Sequence, residues 1–200
     1  MKCTLFSTMI AVMFFTACSP GIEKKVIIMS SGKIQVDNNT KTITLEPGTQ
    51  HNEAELSLSA KDNAITVKSP DGDKTYDLPE NGLYLLNLKT DTLIGNLVNF
   101  GSAGVPTSIS TEQLEHIIDS TQQLINGQNA SDEHKTYFLV PKTIKKLTTN
   151  INAQLINPYK NIPYKVEADK DGKAPEIYKL FTVKQKREAL NELIDRMNKK

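Results

Sequence analysis

The chain has 200 residues, 38% of them hydrophobic, with 24 basic and 23 acidic side chains. That length supports one good core or two small ones, and the even charge balance excludes the broad basic face that nucleic acid requires. The two cysteines, Cys3 and Cys18, both lie near the start, so the chain beyond them has no thiol for a disulfide or a cysteine metal site.

Lys2 precedes an apolar stretch from Thr4 to Phe15, and Thr16, Ala17 and Cys18 follow it. The stretch falls short of the roughly 20 apolar residues of a membrane span. A basic start, a short apolar run, small residues and then a cysteine resemble a bacterial lipoprotein signal, with Phe15 standing where Leu is usual. The resemblance implies that residues 1–17 are removed, that Cys18 is acylated, and that the lipid bilayer is a partner. Removing Lys2 would leave 23 basic and 23 acidic side chains. Ser19 occupies the position where Asp would resemble an inner-membrane retention signal, which favours the outer membrane, facing the periplasm or the cell surface. Residues 18–24 then form a tether of about 20 Å at ~3.3 Å per extended residue, short enough to hold the folded part near the lipid.

Residues 25–105 read as a β-rich domain. Lys25–Met29 is a short apolar run. Ile34 and Val36, then Ile43 and Leu45, alternate with polar residues on either side of Asp37-Asn38-Asn39-Thr40, a hairpin pattern. Leu56 and Leu58, Ile65 and Val67, and Tyr76 and Leu78 repeat the alternation, with turns at Ser69-Pro70-Asp71-Gly72 and Pro79-Glu80-Asn81-Gly82. Leu83–Leu88 is mostly apolar, as a strand buried on both faces would be. Thr92–Phe100 continues in the same style, with Gly95 expected at a bulge. Eight short strands at such spacing predict a sandwich or barrel-like sheet, ending at the flexible segment Gly101–Pro106.

Residues 106–200 read as a small α+β region with two amphipathic helices. Ser110 and Gln113 form a capping box before Leu114, Ile117, Ile118, Thr121, Leu124 and Ile125, and Gly127 closes that helix. Thr182 and Gln185 cap a second helix with an apolar face of Leu190, Leu193, Ile194 and Met197, and Lys199-Lys200 suit its C-terminal end. Between them, Thr136–Val140 reads as a strand, Thr143–Ile156 as two strands joined at an Asn-rich turn, and Pro163–Ala168 with Glu176–Phe181 as a hairpin.

The chemistry-bearing patterns are sparse. Glu167, Asp169 and Asp171 before Gly172 resemble the first half of a calcium loop, but Tyr178 stands where the closing carboxylate is needed and Pro175 interrupts the loop. His51 and His134 read as residues of polar loops, and His116 lies off the apolar stripe of its helix. None has a second ligand one helical turn away. The basic groups Lys142, Lys145, Lys146 and Lys184, Lys186, Arg187 read as solvated faces, with anionic headgroups as the sharper alternative. Gly-x-Ser-x-Gly does not occur. The expectation is therefore an α+β, lipid-anchored envelope protein that binds or scaffolds, without cofactor or nucleic acid and with an envelope protein as a further partner. The alternative is a small envelope hydrolase, acting on carbohydrate or peptide, whose site assembles only in the fold.

Overall fold

The computed structural model describes residues 21–98, 110–163, 166–168, 172 and 174–198. Its strands, in chain order, are β1 (Lys24–Ser31), β2 (Ile34–Asp37), β3 (Thr42–Leu45), β4 (His51–Leu58), β5 (Ala64–Lys68), β6 (Lys74–Asp77), β7 (Gly82–Leu88) and β8 (Leu93–Leu97). There follow α1 (Thr111–Ile125), β9 (Thr136–Leu139), β10 (Thr143–Thr148), β11 (Gln154–Ile156), β12 (Ile177–Thr182) and α2 (Val183–Asn198).

These strands form three four-stranded sheets, and the chain is a β-rich α+β fold. The central sheet has the order β10-β7-β1-β4. Its middle pair, β1 and β7, is parallel, in register from Lys24 opposite Gly82 to Ser30 opposite Leu88, and β4 and β10 flank that pair antiparallel. On one face of this sheet lies a second, ordered β2-β3-β5-β6, and on the other a third, ordered β11-β12-β8-β9. The two helices cover the far face of the third sheet.

The side-chain period of two explains this stack. In β1, Val26 and Ile28 face the β2-β3-β5-β6 sheet, while Ile27 and Met29 face the third sheet. In β7, Tyr84 and Leu86 take the first direction, Leu83 and Leu85 the second. A strand covered on both sides must be apolar at every position, as Leu83–Leu86 is. Edge strand β4 has one covered face: Ala54, Leu56 and Leu58 point inward, and Glu53 and Glu55 are exposed. On the third sheet, Ile94 and Phe138 turn towards Leu124 and Ile125 of α1 and Leu190 of α2.

Most strands stand where alternation puts them, including the β2–β3 hairpin, and the turns at residues 69–72 and 79–82 fall at the junctions between strands as predicted. Ser110 caps α1 with both bonds of its capping box. At the other end Gly127 (φ 76°) donates to Leu124 O and Gln128 to Gln123 O, which closes the helix with a left-handed residue. Thr182 and Gln185 exchange the equivalent N-terminal bonds ahead of α2. Thr121 and Ile118 are half-buried, whereas Ile117, placed in the apolar stripe by sequence, is exposed. Lys199 and Lys200 lie outside the described residues.

Three local expectations are corrected. The strands of Thr143–Ile156 do not pair with each other: β10 joins β7 and β11 joins β12, in different sheets. Pro163 and Val166–Ala168 form no strand, and β12 has both edges already filled by β11 and β8, so no hairpin partner is needed there. Gly95 sits in regular register opposite Leu180 rather than at a bulge, and a Cβ there would lie 2.8 Å from Leu180 Cδ2. The missing side chain makes room for a core leucine. Sheet membership also crosses residue 105 in both directions, since β10 adds to the central sheet and β8 to the third. The segment 101–106 lies outside the described residues.

Two polar features lie within the layers. Lys24 is 1% exposed, and its ammonium donates to Asp62 O, Asn63 Oδ1 and Leu78 O at 2.9, 2.9 and 2.7 Å. All three of its protons are used. Replacing it with Met would leave three acceptors short of a donor. Lys24→Met is expected to lower unfolding free energy in urea by about 2–4 kcal/mol, and an unchanged midpoint would contradict this role.

Between the central and third sheets, the rings of Tyr137 and Tyr178 meet edge to face at 5.8 Å. Tyr137 donates to Leu147 O at 2.5 Å, and Tyr178 to Glu176 Oε1 at 2.5 Å. Burial pushes the Tyr137 phenol up to about 12 and the Tyr178 phenol higher still. Unfolded phenols lose their protons near pH 10 and these keep theirs, so stability is full below that pH and falls above it, by at most about 1.4 kcal/mol per pH unit per phenol. Urea titrations from pH 9 to 12 should show this decline, shallower in Tyr137→Phe. A midpoint constant across that range would contradict it.

Candidate functional site

The sandwich of the β2-β3-β5-β6 sheet and the central sheet is closed at one end and open at the other. At the open end lies a cleft of about 650 Å3. Its walls come from the end of β1, the β3–β4 connection, the β5–β6 turn, the end of β7 and the β9–β10 connection. Three of these segments carry a rim proline, Pro47, Pro70 and Pro141, and proline fixes φ near −65° in each. The β5–β6 turn is further closed by Gly72 N–H donating to Ser69 O and Ser69 Oγ donating to Gly72 O, both 2.9 Å.

The β3–β4 connection folds tightly onto the end of β1. Gly32 has φ 136°, and a Cβ on it would stand 2.3 Å from Glu46 O. Gly48 lies against the Gly32 Cα. Gly32 N–H donates to Gln50 O, and Glu46 N–H to Lys33 O, each at 3.0 Å. The end of β7 is clamped by Asn87, which is fully buried. Its Nδ2 donates to Asp91 O and Leu139 O at 2.9 Å, and its Oδ1 accepts from Lys89 N–H at 3.1 Å. The cleft is thus framed by rigid turns, as pre-formed ligand sites are.

Its floor is apolar and its rim charged. Leu45, Val67, Tyr76 and Leu88 line the bottom together with Ser30. On the rim, Lys142 meets Asp71 at 2.8 Å, which holds the Asp71 carboxyl below the usual carboxylate range. Lys74 donates to Lys142 O at 2.9 Å and lies 4.8 Å from the centre of the Tyr76 ring. The Tyr76 phenol also donates to Lys142 O, at 3.2 Å, and burial raises its pKa.

A second polar cluster sits behind the cleft, on the opposite face of the central sheet. His51 Nε2 stands 2.7 Å from Glu53 Oε1, and His51 Nδ1 3.4 Å from the Lys89 ammonium. Tyr159 covers the pair, its ring 4.8 Å from that of His51 and 5.5 Å from Lys89 Nζ. The Tyr159 loop is held by Lys179, which donates to Asn157 O and Lys160 O at 2.6 Å each, and by Gln185, which donates to Pro158 O at 3.0 Å. Burial lowers the Lys179 pKa. Among the described residues His51 makes its hydrogen bonds to a carboxylate, Glu53, and an ammonium, Lys89.

The residues singled out by sequence fare unequally. Cys18 lies outside the described residues. Glu167 is exposed, Asp169 and Asp171 lie outside the described residues, and Tyr178, at the calcium loop's closing position, is a core residue. No group of three His, Cys, Asp or Glu among the described residues is placed to hold a metal ion. The basic groups are mostly engaged. Lys142, Lys145 and Lys146 pair with Asp71, Asp132 and Glu80, Lys184 approaches Glu188 at 3.8 Å, and Lys186 stacks on Phe181. His134 and His116 are exposed as expected, but His51 opens strand β4 instead of lying in a loop.

Sequence reasoning missed the cleft altogether, because five segments build it and none carries a motif. Its one legible trace is three prolines at strand ends on the same side of the sandwich. No protein-family model, curated protein or solved structure matches the chain.

The tight seat of the β3–β4 connection yields a prediction. Gly32→Ala forces a side chain into the Glu46 carbonyl at a backbone angle that disfavours it, at an expected cost of about 2–4 kcal/mol. Urea unfolding should register that loss. Faster exchange of the amides of Glu46 and residues 48–50, with β7 unchanged, would locate it. Wild-type stability in Gly32→Ala would show that the connection is not held as described.

Proposed function

We propose that the chain is a lipid-anchored binding protein of the bacterial cell envelope and that the open end of its sandwich is the binding site. The observation that carries the reading is the framed cleft, with an apolar floor and a paired, charged rim. Pockets of this size and make-up are the usual seat of small ligands.

The placement of the cleft adds support. β1 enters the central sheet at Lys24 and reaches the cleft at Ser30 and Ser31, about 23 Å away at ~3.3 Å per residue. If Cys18 is acylated, the short segment up to Lys24 brings that closed end to the lipid surface, and the cleft then opens away from the bilayer towards solvent. A ligand would arrive from the aqueous side. In this reading the anchor is the acyl group on Cys18, whose chains supply ~0.8 kcal/mol per buried CH2; no helix among the described residues is long and apolar enough to cross a membrane. The scaffolding form of the same reading, with an envelope protein as partner, would use the same outward-facing end.

The anchor is testable apart from the cleft. Full-length chain expressed in a bacterium should partition into the detergent phase. Its amino-terminal peptide should begin at Cys18 and carry the mass of a diacylglyceryl group, while Cys18→Ser should remain in the aqueous phase or keep residues 1–17. A wild-type product with a bare thiol at Cys18 would overturn the anchored reading.

A further inference from the structure

The floor of the cleft restricts what can bind there. Ser30 continues the inward series Val26, Ile28, Ser30 of β1, so its side chain points between the two sheets of the sandwich. It is 3% exposed and lines the cleft. Its Oγ makes no hydrogen bond with the described residues, yet it is not sealed in: Asn96 Oδ1 is the one closed-off, unpartnered side-chain polar atom among them. A buried hydroxyl open only to a cavity is a polar group waiting for a partner.

Asp73 and Glu46 lie exposed at the mouth of the cleft, and the cationic side chains around the floor are engaged elsewhere. The Lys89 ammonium faces His51 and Tyr159 on the other side of the sheet. Lys142 is held by Asp71, and Lys74 by the Lys142 carbonyl and the Tyr76 ring. An ionised ligand group carried to the floor would lose its water and find one hydroxyl in exchange, a loss of several kcal/mol or more. A neutral donor or acceptor would meet Ser30 Oγ while the rest of the ligand lay against Leu45, Val67, Leu88 and the Tyr76 ring.

Resting on the binding role proposed above, we infer that the cleft takes a small molecule with a compact aromatic or alicyclic body, tipped by one uncharged hydroxyl, carbonyl or amide that hydrogen-bonds to Ser30 Oγ. The turn-framed cleft, open to solvent at its mouth, is of a size that suits a free small molecule.

The test uses three probes of like shape and different charge: 4-ethylphenol, benzoate and benzylamine. The full chain, methyl-labelled at Leu and Val and carried in phosphatidylcholine nanodiscs, is titrated with each. 4-Ethylphenol should shift the methyl signals of Leu45, Val67 and Leu88 and leave Leu155 and Leu190 in place, whereas benzoate and benzylamine should need at least about tenfold higher concentrations. Ser30→Ala should weaken 4-ethylphenol about fivefold with an otherwise native spectrum, from loss of one hydrogen bond. Benzoate or benzylamine binding as tightly as the phenol, or an unchanged affinity in Ser30→Ala, would overturn the ligand class and leave the cleft as a binding site. Failure of all three probes to move the cleft methyls would overturn the binding role itself.

Discussion

The fold depends on a central pair of strands that has no solvent face. β1 and β7 lie side by side and parallel, with a sheet packed on each surface, so both strands are apolar on both of their faces along most of their length. Burying a leucine-sized side chain is worth about 1.5–3 kcal/mol, and Val26, Ile28, Met29, Leu83, Leu85 and Leu86 are all fully buried. The parallel pairing has a second consequence. A parallel pair cannot be closed by a tight turn, and the 50 residues between β1 and β7 are used to build the outer sheet and the edge strand β4. The sandwich and its cleft are therefore made from the crossover that the central pair requires.

The two ends of that pair differ in chemistry. At the Lys24 end, a buried ammonium with three oxygen partners plugs the sandwich, and Glu23 N–H donating to Leu58 O extends the sheet ladder past it. At the Ser30 end the inward position is a small hydroxyl residue, which leaves space where Val26 and Ile28 fill it. The same inward row thus runs from a plug through core to an opening. Asn87, next to the opening on the other face of the sheet, locks the β7–β8 connection to β9 and directs Lys89 away from the cleft towards His51. The floor is left without a free charge, and that is the basis of the proposed preference for neutral groups.

Much of this architecture was readable from local pattern. The unbroken Leu83–Leu88 run announced a strand covered on both sides, the Asp37–Thr40 cluster a hairpin, and Ser110 and Thr182 the starts of the two helices. What was not readable is partner choice. β10 and β11 looked like a hairpin because they are neighbours in sequence, but each found a better edge in a different sheet, an outcome set by burial far along the chain. Gly95 looked like a bulge because an interior glycine weakens a strand; the reason for it, the Leu180 side chain, lies 85 residues away. The cleft was hidden for the same reason. Nothing in the local sequence marks Ser30 until Val67, Tyr76 and Leu88 are brought around it.

Native-state hydrogen exchange tests the two-sided central sheet most directly. The amides of Val26, Ile28, Leu85 and Leu86 should exchange only through global unfolding, with the highest protection in the chain, while those of β2 and β6 at the outer edges open at lower free energy. If the β1 and β7 amides exchanged as fast as those of β2, the central sheet would not be the buried middle of the stack, and the positions assigned to the plug and the cleft would fail with it.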